Sequence, residues 1–349
     1  MKQLFKKNNK NQALSFLLVI VMYVAIEALL KTGNLKSLYT SMLVPVCCYC
    51  IVALALNLVV GVSGELSLGH AGFMSIGAFT GVIVSGYLSN FIGSQMVCFA
   101  IAVVCGAIMA AIFGFVISIP VLKLEGDYLA IVTLAFGQII KTLVNNIYLG
   151  YDQAGFHFSF VKNTIELQSG GKMFISGPVG ATGTTITSNF TAGVIMILIT
   201  LIIIYNFMNS RQGRAVMAAR DDKIAAQSVG LDIVKTKTMV FVLSAALAGA
   251  AGVLYGLNFS TLVPSKFDFN TSILVLVYVV LGGLGNMFGT LISTIVLVML
   301  PQLLRALNDY RMLIYAVLLI VIMIATNNKT IRDMITGVFN RKKAEGEGE

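Results

Sequence analysis

Charge is the scarcest commodity in this chain of 349 residues: Asp, Glu, Lys and Arg together make up 11% of it, against about 25% in an average soluble domain. So few charges cannot cover a globular surface, which excludes a soluble α/β enzyme. Tryptophan is absent and proline occurs only five times, while 57% of the residues are hydrophobic and the mean hydropathy is +0.89. That composition excludes a disordered chain. Histidine occurs twice, at His70 and His157. There is no His-Glu-x-x-His, no Gly-x-Ser-x-Gly and no Gly-x-x-x-x-Gly-Lys-Ser/Thr; Gly171-Lys172 is followed by Met173. The chain therefore offers no catalytic residue and no phosphate loop for hydrolysing ATP itself. The five cysteines, Cys47, Cys48, Cys50, Cys98 and Cys105, all lie in apolar stretches and read as small buried thiols rather than disulfides. The Cys47–Cys50 spacing lacks the second ligand pair a metal needs, so neither metal nor cofactor is expected.

What the chain does have is long apolar runs. At about 20 residues per span, runs at 13–30, 40–60, 70–88, 96–119, 128–148, 190–208, 238–258, 270–285, 288–304 and 312–326 predict an all-α, polytopic integral membrane protein of about ten transmembrane helices. Lys2, Lys6, Lys7 and Lys10 resemble a signal-peptide n-region, but the run after them is too long for an h-region and no small-x-small cleavage site follows, so it counts as helix one. The net charge of +9 is read by position, not as a sign of nucleic-acid binding. With both termini inside, 16 of the 24 Lys and Arg fall on cytoplasmic pieces and 8 outside, as the positive-inside rule requires. The organisation expected is a cytoplasmic tail at 1–12, a transmembrane domain at 13–326 with an external loop at 149–189 and a cytoplasmic loop at 209–237, and a cytoplasmic tail at 327–349. A peripheral first helix followed by two halves, 38–148 and 190–326, also suits the inverted five-helix repeats of transport folds, although the runs above place only four spans in the first half.

Three segments depart from plain lipid-soluble helix. The first, 56–73, interleaves Asn57, Ser63, Glu65, Ser67 and His70 with four glycines. A carboxylate near the bilayer centre costs at least about 2.5 kcal/mol, so Glu65 must face water, a partner or the protein interior. Broken backbone at that depth is tolerated only where it is buried or lines a cavity. The segment reads either as a pathway-lining or gating hairpin or as a cytoplasmic turn with ordinary caps. The second, 123–138, has Asp127 placed to cap the helix that follows it, with Thr133 and Gln138 further along; these read as interhelical hydrogen-bond formers or as path-lining groups. The third, 211–231, is too charged for lipid. From about 214 to 229 it predicts a short helix ended by Gly230, with Ala215, Ala218, Ala225 and Val229 on one face. Small side chains there suit close docking by another protein; a solvated loop would not need them. Stripes of small residues at Gly77/Gly81/Ser85, Gly106/Ala110/Gly114 and Ser244/Ala248/Gly252/Gly256 predict close helix packing.

In this order the segments resemble the permease subunits of branched-chain amino-acid ABC importers, over about 43–325. The residues carrying the resemblance are Ala55-Leu56-Asn57-Leu58-Val59-Val60-Gly61, Ser67-Leu68-Gly69-His70-Ala71-Gly72-Phe73, Gly126-Asp127-Tyr128-Leu129-Ala130, Gly213-Arg214-Ala215, Ile224-Ala225-Ala226-Gln227-Ser228-Val229-Gly230 and Gly282-Gly283-Leu284-Gly285-Asn286. The Gly-Asp-Tyr-Leu-Ala block looks like the larger, ten-span subunit. The resemblance implies a multi-pass protein of a bacterial plasma membrane that pairs with a second permease subunit, two cytoplasmic ABC ATPase subunits that bind the ATP, and an external substrate-binding protein for which 149–189 is a dock or merely a flexible loop. It assigns Arg214, Ala215, Ala218, Ala225, Ala226 and Gly230 to the ATPase-coupling loop. Where other importers usually carry Glu before the two alanines, this chain has Ile224, as this branch commonly does, so no salt bridge is carried over there. The cargo implied is a hydrophobic amino acid, with urea, ribose-like sugars or nucleosides carried by related permeases. An ion-gradient-driven secondary transporter is the rival class. It would need paired intramembrane carboxylates, for which Glu65, Asp127 and Glu27 are the candidates.

Overall fold

A computed structural model describes residues 2–32, 37–89, 91–122, 124, 126–152, 155–160, 172–304, 310, 313–317 and 319–320. Chain contacts divide it into the units Met1–Thr294 and Ile295–Glu349. The helices are α1 (Lys2–Lys31), α2 (Ser37–Asn57), α3 (His70–Leu88), α4 (Gln95–Val121), α5 (Asp127–Asn145), α6 (Phe190–Asn209), α7 (Arg211–Asp221), α8 (Lys223–Ser228), α9 (Ile233–Gly256), α10 (Phe269–Gly282) and α11 (Met287–Leu303). Among the described residues, eight helices are long and apolar enough to cross a membrane, so the chain is a polytopic membrane protein. The expected run at 288–304 is the shorter α11. The run at 312–326 lies largely outside the described residues, as does the tail at 327–349. The segment expected as a tail at 1–12 is helical from Lys2 onward.

A helix that is apolar on all sides is stable only when enclosed. The span Thr40–Ser63 is 89% buried, whereas Gln95–Val121 is 28% buried, so α2 is the axis of the fold and α4 lies at its edge. Ile101, Val104, Ile108 and Ile112 of α4 face outward, where lipid is the solvent. The three small-residue stripes converge on one another, joining α3, α4 and α9. A Cβ on Gly77 would lie 2.0 Å from the Gly249 carbonyl oxygen, one on Gly252 2.0 Å from that of Met74, and one on Gly114 2.6 Å from the Ala245 side chain. In lipid, such backbone-to-backbone approach substitutes for hydrophobic driving force.

The loop at 149–189, expected on the outside, carries regular structure that an all-α reading lacks. Strands β1 (Tyr148–Asp152), β2 (Gly155–Ser159) and β3 (Lys172–Ser176) form an antiparallel sheet in the order β2-β1-β3, and β4 (Ala181–Thr182) pairs with β5 (Thr261–Leu262). Alternation in Tyr148-Leu149-Gly150-Tyr151-Asp152 and Gly155-Phe156-His157-Phe158-Ser159 is the period-two signal of half-buried strands. The loop's richness in Gly, Ser and Thr hides that signal.

Candidate functional site

The chemistry gathers where α2 fails to continue into α3. Its last turn, Leu58–Ser63, is π-helical, a form concentrated at functional sites. Gly64 ends it with φ +77°, and its N–H bonds to the Val59 carbonyl. The chain then runs without regular structure to His70, the first residue of α3. Unpaired backbone at this depth needs partners, and four elements supply them.

Asn57 is fully buried. Its Nδ2 donates to Thr290 Oγ1 at 2.7 Å, and its Oδ1 accepts the Gly285 N–H at 2.8 Å. It thereby holds the turn between α10 and α11 against the π-helical segment. The approach is so close that a Cβ on Gly61 would lie 2.1 Å from the Gly285 nitrogen. From the opposite direction Arg220, at the end of α7, donates from Nη1 to the Gly61 carbonyl at 2.7 Å. Its Cγ occupies the space a Gly64 Cβ would need, at 2.7 Å. Gly64 is thus required twice, by its positive φ and by the arginine laid over it. Glu65 forms an ion pair with Lys237 in the first turns of α9, both side chains about 15% exposed. The carboxylate that the sequence required to find water or a partner has a partner.

His70 lies in a hydrogen-bond chain. Ser244 Oγ donates to the Ala55 carbonyl at 2.5 Å and stands 2.7 Å from His70 Nε2. A hydroxyl has one hydrogen, so His70 Nε2–H is the donor to Ser244. Nδ1 is then the acceptor for the Ser67 hydroxyl at 3.2 Å. The imidazole is neutral, with its tautomer set, and joins the break, α9 and α2. Thr133 of α5 is also buried: its Oγ1 accepts the Leu68 N–H at 3.0 Å and donates to the Ala130 carbonyl at 2.9 Å. The Ala71 N–H donates to Ser272 Oγ of α10 at 3.3 Å. Ser63 Oγ is buried with no hydrogen-bond partner among the described residues. Ser244→Ala is expected to leave the His70 N–H and the Ala55 carbonyl unpaired. That costs about 1–3 kcal/mol, read as a lower melting temperature of the purified protein, whereas Ser67→Ala removes only the long 3.2 Å bond and should shift it less.

The other sequence candidates lie apart. Asp127 is exposed and does not cap α5: Gly126 occupies the cap position without a side chain, so the carboxylate contributes only its favourable place in the helix dipole. Gln138 is half-buried on the outer face of α5, where with Ile139, Thr142, Leu143 and Asn146 it lines an open cavity of about 400 Å³.

The charged loop is two helices, not the single helix expected at 214–229. Asp222 breaks it and caps α8, accepting the Ile224 and Ala225 N–H groups at 2.9 Å each. Ser210 caps α7, and Asp232 caps α9 through the Lys235 N–H; above all, that N–H holds the Asp232 carboxyl below its ordinary value. Because the axis changes at Asp222, Ala215, Ala218, Ala225 and Val229 do not form one face. Ala215 is half-buried, Ala218 is exposed, and exposed Arg214 donates to the Asn209 carbonyl. Ala226 is buried with Ala219 and Ile233, holding α8 against the start of α9. The outward apolar surface is Ile224, Ala225 and Val229, followed by Gly230 with φ +84° and open space around it. Sequence reasoning missed Arg220 and Lys237 as site residues, since each carried only a positive-inside signal. It also missed Ser244, which sat inside a packing stripe, and Thr290.

The family described as branched-chain amino acid transport system / permease component matches residues 38–323. The chain is 33% identical over 326 residues to the high-affinity branched-chain amino acid transport system permease protein LivM of Salmonella typhimurium, covering 90% of this chain and 73% of that one. It is 34% identical to the LivM protein of Escherichia coli K12 with the same coverage. It is 23% identical to the fructose import permease protein FruG of Bifidobacterium longum, over 80% of this chain and 78% of the relative. No solved structure matches. A broken, glycine-lined membrane helix gripped by a capped polar loop, over a match spanning most of the chain, places this protein in the branched-chain amino acid transport permease family.

Proposed function

We propose that this chain is the membrane-spanning subunit of an ABC importer for branched-chain amino acids, set in the bacterial plasma membrane with both termini inside. Its partners are a second permease subunit, two cytoplasmic ATPase subunits that hold the ATP, and an external substrate-binding protein. The observation that carries the reading is that the α7–α8 loop is bonded directly to the break in the membrane helix, through Arg220 to Gly61 and, at the start of α9, through Lys237 to Glu65. A push on α8 at Ile224, Ala225 and Val229 is then delivered to the break, which the glycines leave free to move. A partner shifts such an equilibrium only by its different affinity for the two states, so selectivity belongs mainly to the binding protein.

The cargo path in this reading runs along the outer face of α5, at Gln138, Thr142 and Asn146, because amide and hydroxyl groups on an outward membrane face are disfavoured in lipid. The greater identity to LivM supports an amino-acid cargo. The likeness to a fructose permease keeps sugars as a second reading. The pairing of Glu65 with Lys237 weighs against an ion-driven carrier, since that carboxylate is already neutralised.

The test uses the difference between two adjacent alanines. Ala225 is exposed and Ala226 buried, so Ala225→Leu is expected to leave abundance in the membrane unchanged while radiolabelled leucine uptake by the assembled transporter falls at least about tenfold. Ala226→Leu is expected to lower abundance as well, because overpacking costs about 1–3 kcal/mol. Normal uptake by the Ala225→Leu protein would remove the coupling role from this loop, and uptake of fructose rather than leucine by the unmodified transporter would change the cargo.

A further inference from the structure

The sheet in the external loop has two unlike faces. Residues directly opposite in an antiparallel pair share a face, and so do residues two apart along a strand. Leu149 lies opposite Phe158 of β2 and opposite Ile175 of β3, so these three and Tyr151 stand on one face. Where that face meets α3 it is covered. Ile175 is buried, and the Tyr151 ring meets Tyr87, near the end of α3, edge-on at 5.3 Å. β2 is the edge strand of the sheet. There the same face is open: Phe158 is 55% and Phe160 59% exposed, their rings in edge contact at 4.7 Å. Tyr87 also packs on Phe91, which is 68% exposed. A few residues on, Met96 and Val97 are exposed at the start of α4, the span whose outer side faces lipid. On the opposite face Tyr148 and Asp152 are buried, His157 Nε2 lies 2.9 Å from Asp152 Oδ1, and Ser159 follows.

We infer that this face lies in the lipid interface, with Phe158 and Phe160 set among the headgroups and upper acyl chains, so that the sheet rests on the membrane instead of standing into water. Three observations support it. The covered part of the face rests on the end of a membrane span, so its open continuation points to the same side. The face is linked, through the ring contacts of Tyr151 with Tyr87 and of Tyr87 with Phe91, to the segment that leads into the lipid-facing start of α4. Phenylalanine has no polar group to give to water, whereas aromatic and apolar side chains are the common contents of a membrane interface. The opposite face, with buried Tyr148 and Asp152 and partly exposed His157, then points away from the lipid.

The lack of tryptophan in the chain makes the test clean. Phe158→Trp, Phe160→Trp and Ser159→Trp each give a protein with one tryptophan, which is reconstituted as the full chain in nanodiscs of phosphatidylcholine brominated near the headgroup end of the acyl chains. The Phe158→Trp and Phe160→Trp proteins are expected to lose most of their emission to the brominated lipid, emit at shorter wavelength and resist acrylamide. The Ser159→Trp protein, with its probe on the opposite face, is expected to lose little emission to the brominated lipid. Quenching of the Phe158→Trp protein by the brominated lipid no stronger than that of the Ser159→Trp protein would overturn the inference. So would shielding from both quenchers, which would mean that protein, not lipid, covers the face.

Discussion

Arg220→Ala should leave the permease in the membrane at normal abundance and cut uptake by about ten- to a hundredfold. The estimate follows from one bond. A hydrogen bond from a charged donor contributes about 1.5–3 kcal/mol, and each 1.4 kcal/mol is about a factor of ten in an equilibrium. Nη1 of Arg220 gives such a bond to the Gly61 carbonyl at 2.7 Å, one of the carbonyls that a helix end leaves without an intrahelical partner. The rest of the guanidinium is held by Asp221, at 3.1 and 3.2 Å, so the fork spans from α7 to the end of the π-helical turn. Alanine removes the connection but leaves Gly61 and Gly64 room to keep their backbone conformation, so the fold survives and transmission does not. Arg220→Lys keeps one charge and loses the fork, and should fall between the two. The measurement is uptake by the assembled transporter, normalised to immunoblotted permease, together with ATP hydrolysis by the ATPase subunits proposed above. Hydrolysis should continue while uptake fails. Unchanged uptake by the Arg220→Ala protein would mean that movement reaches the break by another route.

Gly252→Leu is expected to do the reverse, removing the folded protein rather than its coupling. The space for a Cβ at Gly252 is taken by backbone: the Met74 carbonyl oxygen at 2.0 Å and the Ala78 nitrogen at 2.9 Å. Backbone in a helix cannot step aside as a side chain does, so α3 and α9 must separate. That also pulls apart Gly77 and Gly249, which meet 2.0 Å from an added Cβ. Overpacking a core costs about 1–3 kcal/mol when side chains can adjust. Here the loss should reach or exceed the top of that range, a large part of the roughly 5–15 kcal/mol that holds a folded domain together. Size-exclusion profiles and melting curves of the purified protein read it directly. Gly252→Ala, with one carbon added at the same point, should also be destabilised but less so. A Gly252→Leu protein that stays monodisperse with an unchanged melting temperature would show that α3 and α9 do not pack through these glycines. The two substitutions separate helix packing at Gly252 from the bonding of the cytoplasmic-loop arginine to the break at Gly61.

Much of this was legible before any coordinates. Apolar runs located the spans because the bilayer demands about 20 apolar residues from each, and four-residue spacing located the α3–α4–α9 packing. The segment 56–73 stood out because Asn57, Glu65 and His70 have no business in lipid without partners. What those partners are was not legible. Arg220 is separated by 159 residues from Gly61, Lys237 by 172 from Glu65, and Ser244 by 174 from His70, and local patterning carries no information across such distances. Asp127 was misread as a cap because its type and position suit one, yet the backbone at Gly126 takes the cap position instead. The single helix expected at 214–229 broke because Asp222, an equally good cap, lies in its middle. The sheet in the loop after α5 was obscured because strands of five residues give a much weaker periodic signal than a span.

Composition alone determined that this protein lives in a membrane, that its helices pack through small residues, and that its polar segments must be held from within, because each follows from the solvent and from residue size. Only the tertiary structure decided which groups answer one another: that Glu65 is matched by Lys237, that His70 is a neutral donor to Ser244, and that the loop outside the spans reaches the break through Arg220. Those pairings depend on where distant helices come to rest, and that is set by the summed packing of the whole fold, not by any stretch of chain read on its own.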